Sequence, residues 1–165
     1  MTAVEFYDSA PAEWPPGAQY AALYADSSLE PGYHPQTAAI PNKRYITRRG
    51  GGAAAVYAGI ADFETGNLVY LGSNLHEWAL ARKAAGHRFR PYCNRSDFAR
   101  AHDQVNGLGP QWWIATLDNN PHWTPDLICQ SLKAMHGIVV DPATIWGIQW
   151  GTNSRYDTSY LTGEW

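Results

Sequence analysis

Cysteine, methionine and phenylalanine are scarce in this chain, with 2, 2 and 4 copies in 165 residues. Two cysteines do not make a disulfide framework, and the spacing of Cys93 and Cys129 fits no zinc motif. Both therefore read as small buried hydrophobes. The histidines (His34, His76, His87, His102, His122 and His136) include no i, i+4 pair and no HExxH, so neither a dedicated metal site nor a cofactor is expected. An excess of positive charge is lacking too. The formal net charge is -3, which removes the electrostatic footprint of a nucleic-acid binder. The one basic cluster, Lys43-Arg44 with Arg48-Arg49, flanks Tyr45-Ile46-Thr47 and reads as a solvated strand end.

No apolar stretch approaches the ~20 residues of a membrane span. Met1 to Glu5 has no basic n-region and no apolar h-region, so no signal peptide is expected. On that reading the chain is made in the cytoplasm, and an extracellular role needs another exit route. Wall-binding repeats are also missing.

Tryptophan and tyrosine are plentiful, with 8 and 10 copies. Each pairs an apolar face with a polar handle, which suits either a packed core or a cleft that meets amphipathic ligands such as sugars. The length favours one domain, 1–165, with a real core. Short apolar segments read as strands at Val4–Tyr7, Tyr20–Tyr24, Arg44–Thr47, Ala55–Ala61, Arg88–Cys93, Trp112–Ala115 and Ile145–Trp150, with a last element starting at Tyr156-Asp157. Ser73-Asn74 offers caps for a helix carrying Leu75, Trp78 and Ala79 at helical spacing, closed by Gly86. Ser96 is the expected cap of a second helix with Phe98, Ala101 and Val105. Thr124-Pro125 opens a third.

Strands alternating with helices predict βαβ units, and seven or eight of them predict closure. A full TIM barrel typically needs ~250 residues, and the first four strands lack convincing helices between them. The expected fold is α/β, an abbreviated TIM-like β/α barrel with several helices missing.

In such barrels chemistry sits where strands end. Asp8 follows the first strand, Asp26 the second, Asp62 and Glu64 the fourth, and Asp157 lies near the last. Residues i and i+2 of an extended chain share a face, so Asp62 and Glu64 can project into one cleft. Glycoside hydrolysis needs such a pair: an acid for the leaving oxygen and a carboxylate for the oxocarbenium-like state.

The chain resembles the family 25 glycoside hydrolases, the muramidases of bacteria and phages, most closely their short actinobacterial and actinophage versions. The resemblance is carried by Phe6-Tyr7-Asp8-Ser9, Tyr24-Ala25-Asp26, Ile60-Ala61-Asp62-Phe63-Glu64, Tyr92-Cys93-Asn94-Arg95-Ser96, Trp112-Trp113-Ile114-Ala115, Trp146-Gly147-Ile148-Gln149-Trp150 and Tyr156-Asp157. It implies a barrel of eight strands with helices missing, and a hydrolase of cell-wall polysaccharide. Glu64 would then be the general acid, and Asp62 would orient or stabilise the substrate. Asp8 and Asp157 would hold the charge pattern at the cleft floor. Tyr24, Tyr92, Trp113 and Trp150 would stack on sugar rings, with Gln149 as a hydrogen-bonding partner. Asp26 would join the substrate-binding set, although larger enzymes carry a different acidic signature there. The segment Pro121–Thr144 is longer than the family pattern and would reshape one cleft wall. A phage particle or another chain would supply targeting. The competing expectations are a non-catalytic module for glycan binding or particle assembly, and a different carbohydrate or lipid hydrolase on the same barrel.

Overall fold

Successive side chains of an extended strand fall on opposite faces, so Tyr20–Tyr24 and Asn42–Thr47 send one set inside a curved sheet and the other outside. In the computed structural model, which describes residues 4–8, 18–24, 40–48, 51–64, 74–152, 157–162 and 165, that sheet closes on itself. The elements run β1 (Val4–Asp8), β2 (Tyr20–Tyr24), β3 (Asn42–Thr47), α1 (Gly51–Ala54), β4 (Ile60–Asp62), α2 (Asn74–Ala84), β5 (Arg90–Asn94), α3 (Phe98–Val105), β6 (Trp112–Ala115), α4 (Pro125–His136), a 3-10 turn (Pro142–Thr144), β7 (Ile145–Thr152) and β8 (Asp157–Leu161). Strands β1 to β7 pair in parallel, each with the next. Strand β8 runs antiparallel to both β7 and β1 and closes the ring.

This is mixed α/β architecture, and it departs from a regular eightfold β/α barrel in two ways. The last strand is reversed. Among the described residues, helices of eight residues or more follow only β4, β5 and β6. None of the described helices is long and apolar enough to cross a membrane.

Two apolar layers result. Ala22, Ile46, Ile60, Tyr92, Trp113 and Trp146 fill the barrel interior. On the outer face, Ala61, Phe63, Cys93, Trp112 and Ile114 pack beneath the helices. The helices meet them with the expected stripes: Leu75, Trp78 and Ala79 from α2, Phe98, Ala101 and Val105 from α3, and Ile128 and Leu132 from α4. Helix α4 starts as its sequence predicts, with Thr124 Oγ1 accepting from the Leu127 amide at 3.3 Å and proline in the first turn.

Two expectations change. The strand expected over Ala55–Ala61 is only Ile60–Asp62, because Gly51–Ala54 is helical and a turn follows it. The small side chains there allow close packing under α2: Trp78 Nε1 donates to the Ala58 carbonyl at 3.2 Å, and Arg82 Nη1 to the Ala55 carbonyl at 3.0 Å. That tertiary packing overrides the β-like run. Ser96 does not cap α3 either. Its hydroxyl donates to Asn94 Oδ1, which also accepts the Asp97 amide, so an Asn-centred turn delivers the chain into the helix. The cysteines are both free; Cys93 is buried as expected, whereas Cys129 is only half-buried.

Candidate active site at the carboxyl ends of the strands

Because the parallel strands share one direction, Asp8, Tyr24, Asp62 and Asn94 all end up at the same mouth of the barrel. Reversal of β8 brings its first residue, Asp157, to that mouth as well. The backbone register pairs Asp8 directly with Asp157, and pairs Asp8 with Ala22 on the other side. The side chains of Asp8 and Asp157 lie outside the described residues.

Asp62 is fully buried at the end of β4. Tyr24 donates its hydroxyl to Asp62 Oδ2 at 2.9 Å, and Arg48 Nε lies 3.8 Å from the same oxygen. The guanidinium of Arg48 stacks over the Tyr24 ring, 4.0 Å from its centroid. A buried carboxylate is costly unless hydrogen-bonded and paired, and Tyr24 with Arg48 supplies both kinds of contact. The basic residue expected to be only a solvated strand end is therefore part of the site. The clue was its parity: Arg44 and Ile46 share one face of β3, Ile46 is inside, and Arg48 continues the same two-residue spacing just past the strand.

Glu64 comes two residues further on and is partly exposed. Between the two acids, Phe63 turns outward into the core, and its amide donates to the Tyr92 carbonyl at 2.7 Å, prolonging the strand geometry past Asp62. The two carboxylates thus meet different surroundings, one sealed and one reachable by solvent. Both lie close enough to Cys93 to act on it: burial pushes that thiol well up, and the charges of Glu64, Asp97 and Asp62 push it further.

The other expected substrate contacts divide. Tyr92, Trp113 and Gln149 lie in the barrel interior. Tyr92 donates to Gln149 Oε1, Trp113 Nε1 donates to Ser159 Oγ at 3.1 Å, and the Tyr92 and Trp113 rings sit 4.5 Å apart. Trp113 is fully buried, so in this structure it packs the barrel instead of offering a face to a ligand. Trp150 is half-buried beside the irregularity between Gln149 and Gly151 in β7. Asp26 lies outside the described residues.

A second polar group, not anticipated from the sequence, lies just after β6. Asp118 accepts from Trp123 Nε1 at 3.0 and 2.9 Å, from Thr116 Oγ1 at 3.1 Å and from the Asn120 amide at 3.3 Å. Arg95 reaches it at 3.9 Å and stacks on Trp123 at 4.5 Å. Burial alone would raise the Asp118 carboxyl, but these hydrogen bonds and the Arg95 charge outweigh it and hold the group below its ordinary value. Two non-glycine residues of this loop, Leu117 and Asn119, have φ of 57° and 55°, a left-handed geometry that the Asp118 bonds help to hold. The signal available was the Asp-Asn-Asn-Pro turn itself. Among the described residues, no cluster of three His, Cys, Asp or Glu side chains could hold a metal ion.

Over 99% of its length the chain superposes on 94% of a bacterial lysozyme from Streptomyces coelicolor, with a TM-score of 0.58 and 13% identical residues. The fold is lysozyme-like. No protein-family model matches the chain. No curated protein matches it. At this identity the likeness establishes the architecture, and the chemistry has to be argued from the residues at the mouth.

Proposed function

We propose that the protein is a muramidase-like glycoside hydrolase of the family 25 type, cutting glycosidic bonds in bacterial cell-wall polysaccharide. The observation that carries this reading is the unlike pair at the end of β4: a sealed, hydrogen-bonded Asp62 and a solvent-reachable Glu64 two residues on. Glu64 is the proton donor to the leaving oxygen. Asp62, held by Tyr24 and Arg48, remains a fixed negative charge that orients the substrate and favours positive character at the sugar carbon. Asp8 and Asp157, paired across β1 and β8, add two acids to the same mouth. Tyr24 and Trp150 are the half-buried aromatics available to meet a sugar ring, with Asp26 close to Tyr24 in sequence. Tyr92, Trp113 and Gln149 support the site from below. Delivery to the wall, whether after lysis or on a phage particle, is part of the same proposal.

The test compares the purified protein with Glu64→Gln on purified cell walls, measuring released reducing ends. The variant keeps the shape of the side chain and loses the transferable proton, so release should fall by roughly 10²- to 10⁴-fold, the usual contribution of a positioned acid. Equal release by the two proteins would remove Glu64 from the mechanism. Tight glycan binding by the unaltered protein with no release at all would instead favour the non-catalytic module.

A further inference from the structure

The opposite end of the barrel holds two arginines that have nothing to do with the acidic mouth. Arg44 lies near the start of β3 and Arg90 is the first residue of β5. Both guanidinium groups lean on Trp146, with Cζ 5.9 Å from the ring centroid for Arg44 and 4.5 Å for Arg90. Arg44 also sits 5.3 Å from the ring of Trp165. Arg90 is only 3% exposed. Among the described residues no carboxylate lies within ion-pair distance of either, and Nε of both is buried without a hydrogen-bond acceptor.

Burying a cation without a partner is costly even after the surroundings relax. Stacking on a desolvated tryptophan offsets only part of that cost. Stacking also leaves the in-plane Nε–H of each unanswered, because a ring face accepts from above and not along the edge of the fork. The field is strengthened by neighbours: burial, then the charges of Arg44, Arg88 and Arg82, bring Arg90 down to about 9. Arg82 contributes charge but no contacts, since its donors already go to the carbonyls of Ala55 and Arg88.

The geometry points to an oxyanion site at this end of the barrel, in which Arg44 and Arg90 together bind a phosphate group. Two guanidinium forks match a doubly charged tetrahedral anion better than a singly charged planar carboxylate. Trp146 is 3% exposed and its ring is already engaged with both cations and with Trp113 and Trp165, so no free face remains there for a sugar or a base. Arg44 is partly exposed, so the pair is reachable from solvent on its side. The site does not depend on the glycosidase reading, because it shares no residue with the acidic mouth.

Inorganic phosphate is titrated into the full chain at constant ionic strength, with chloride making up the balance, while the thermal midpoint is followed. A saturable rise is expected for the unaltered protein. Arg44→Gln should bind about tenfold or more weakly, the equivalent of losing one charged contact. Arg90→Lys, which keeps the charge but loses the fork, should weaken binding as well; if it fails to fold, Arg44→Gln decides alone. No saturable rise in the unaltered protein, or an undiminished rise in Arg44→Gln, overturns the site. An equal response to acetate overturns its assignment to phosphate.

Discussion

Replacing Asp118 with asparagine keeps the side chain's outline and removes its charge, so the effect can be worked from the loop that it organises. In Asp118→Asn the remaining side-chain oxygen would still accept from Thr116 and the Asn120 amide. The new amide nitrogen, however, would face Trp123 Nε1 and Arg95, donor against donor, where the carboxylate now accepts at 2.9 and 3.9 Å. Losing the charged half of the Trp123 contact, while the remaining oxygen still accepts from that donor at 3.0 Å, costs about 1 kcal/mol. The Arg95 pair, with both side chains partly exposed and screened, adds less than about 1 kcal/mol. A total of about 1.5 kcal/mol in a chain of 165 residues lowers the thermal midpoint by roughly 3–6 °C. The acid dependence gives a stricter check. Since the folded carboxyl is held below its ordinary value, it protonates at lower pH in the folded than in the unfolded chain. Its contribution is therefore complete above about pH 4, the ordinary aspartate value, and is lost as pH falls through the lowered folded value. Urea unfolding of both proteins at neutral pH and again well below pH 4 should show a gap that narrows in acid. A gap of constant size, or an Asp118→Asn protein as stable as its parent at neutral pH, refutes the reasoning.

Two further substitutions separate packing from site chemistry. Trp78→Phe removes a fully buried ring edge and leaves the Ala58 carbonyl without its donor, so it should cost about 2–4 kcal/mol in urea unfolding; less than about 1 kcal/mol would mean that the α1 turn does not depend on that bond. Arg48→Gln should destabilise by about 1–3 kcal/mol, because the exposed guanidinium is the charge partner of a fully buried Asp62 carboxylate. If the glycosidase reading holds, the same variant should lose about tenfold in kcat/KM on cell walls, the equivalent of about 1.4 kcal/mol at Asp62, and full activity would take Arg48 out of the site.

Local signals in the sequence carried the helices well. Leu75, Trp78 and Ala79 recur at helical spacing, and Thr124-Pro125 is a start signal that needs no tertiary help. The position of the Asp62–Glu64 pair was legible because a short apolar strand ends at Asp62 and the second acid follows two residues on. What could not be read locally was anything settled by a partner far along the chain. Ala55–Ala61 looks like a strand until Trp78 and Arg82 claim its carbonyls. Arg44 and Arg48 look solvated, as neighbouring basic residues usually are, until Trp146 and Asp62 face them. Trp113 has the composition of a sugar platform, but it is sealed inside the ring of strands.

The reversed eighth strand also governs when the protein acquires its mouth. Val4–Asp8 is synthesised long before its neighbour Asp157–Leu161, and only their pairing sets Asp8 against Asp157. Such a long-range closure is entropically expensive. The helix-covered half, from β4 to β7, makes sequence-local contacts and can form beforehand. A partly made chain would therefore carry Asp62 and Glu64 on an open sheet, before the ends of β1 and β8 are paired. Assembly of the last strand is a built-in timer: the ends of β1 and β8 come into register only once the chain has been made as far as β8.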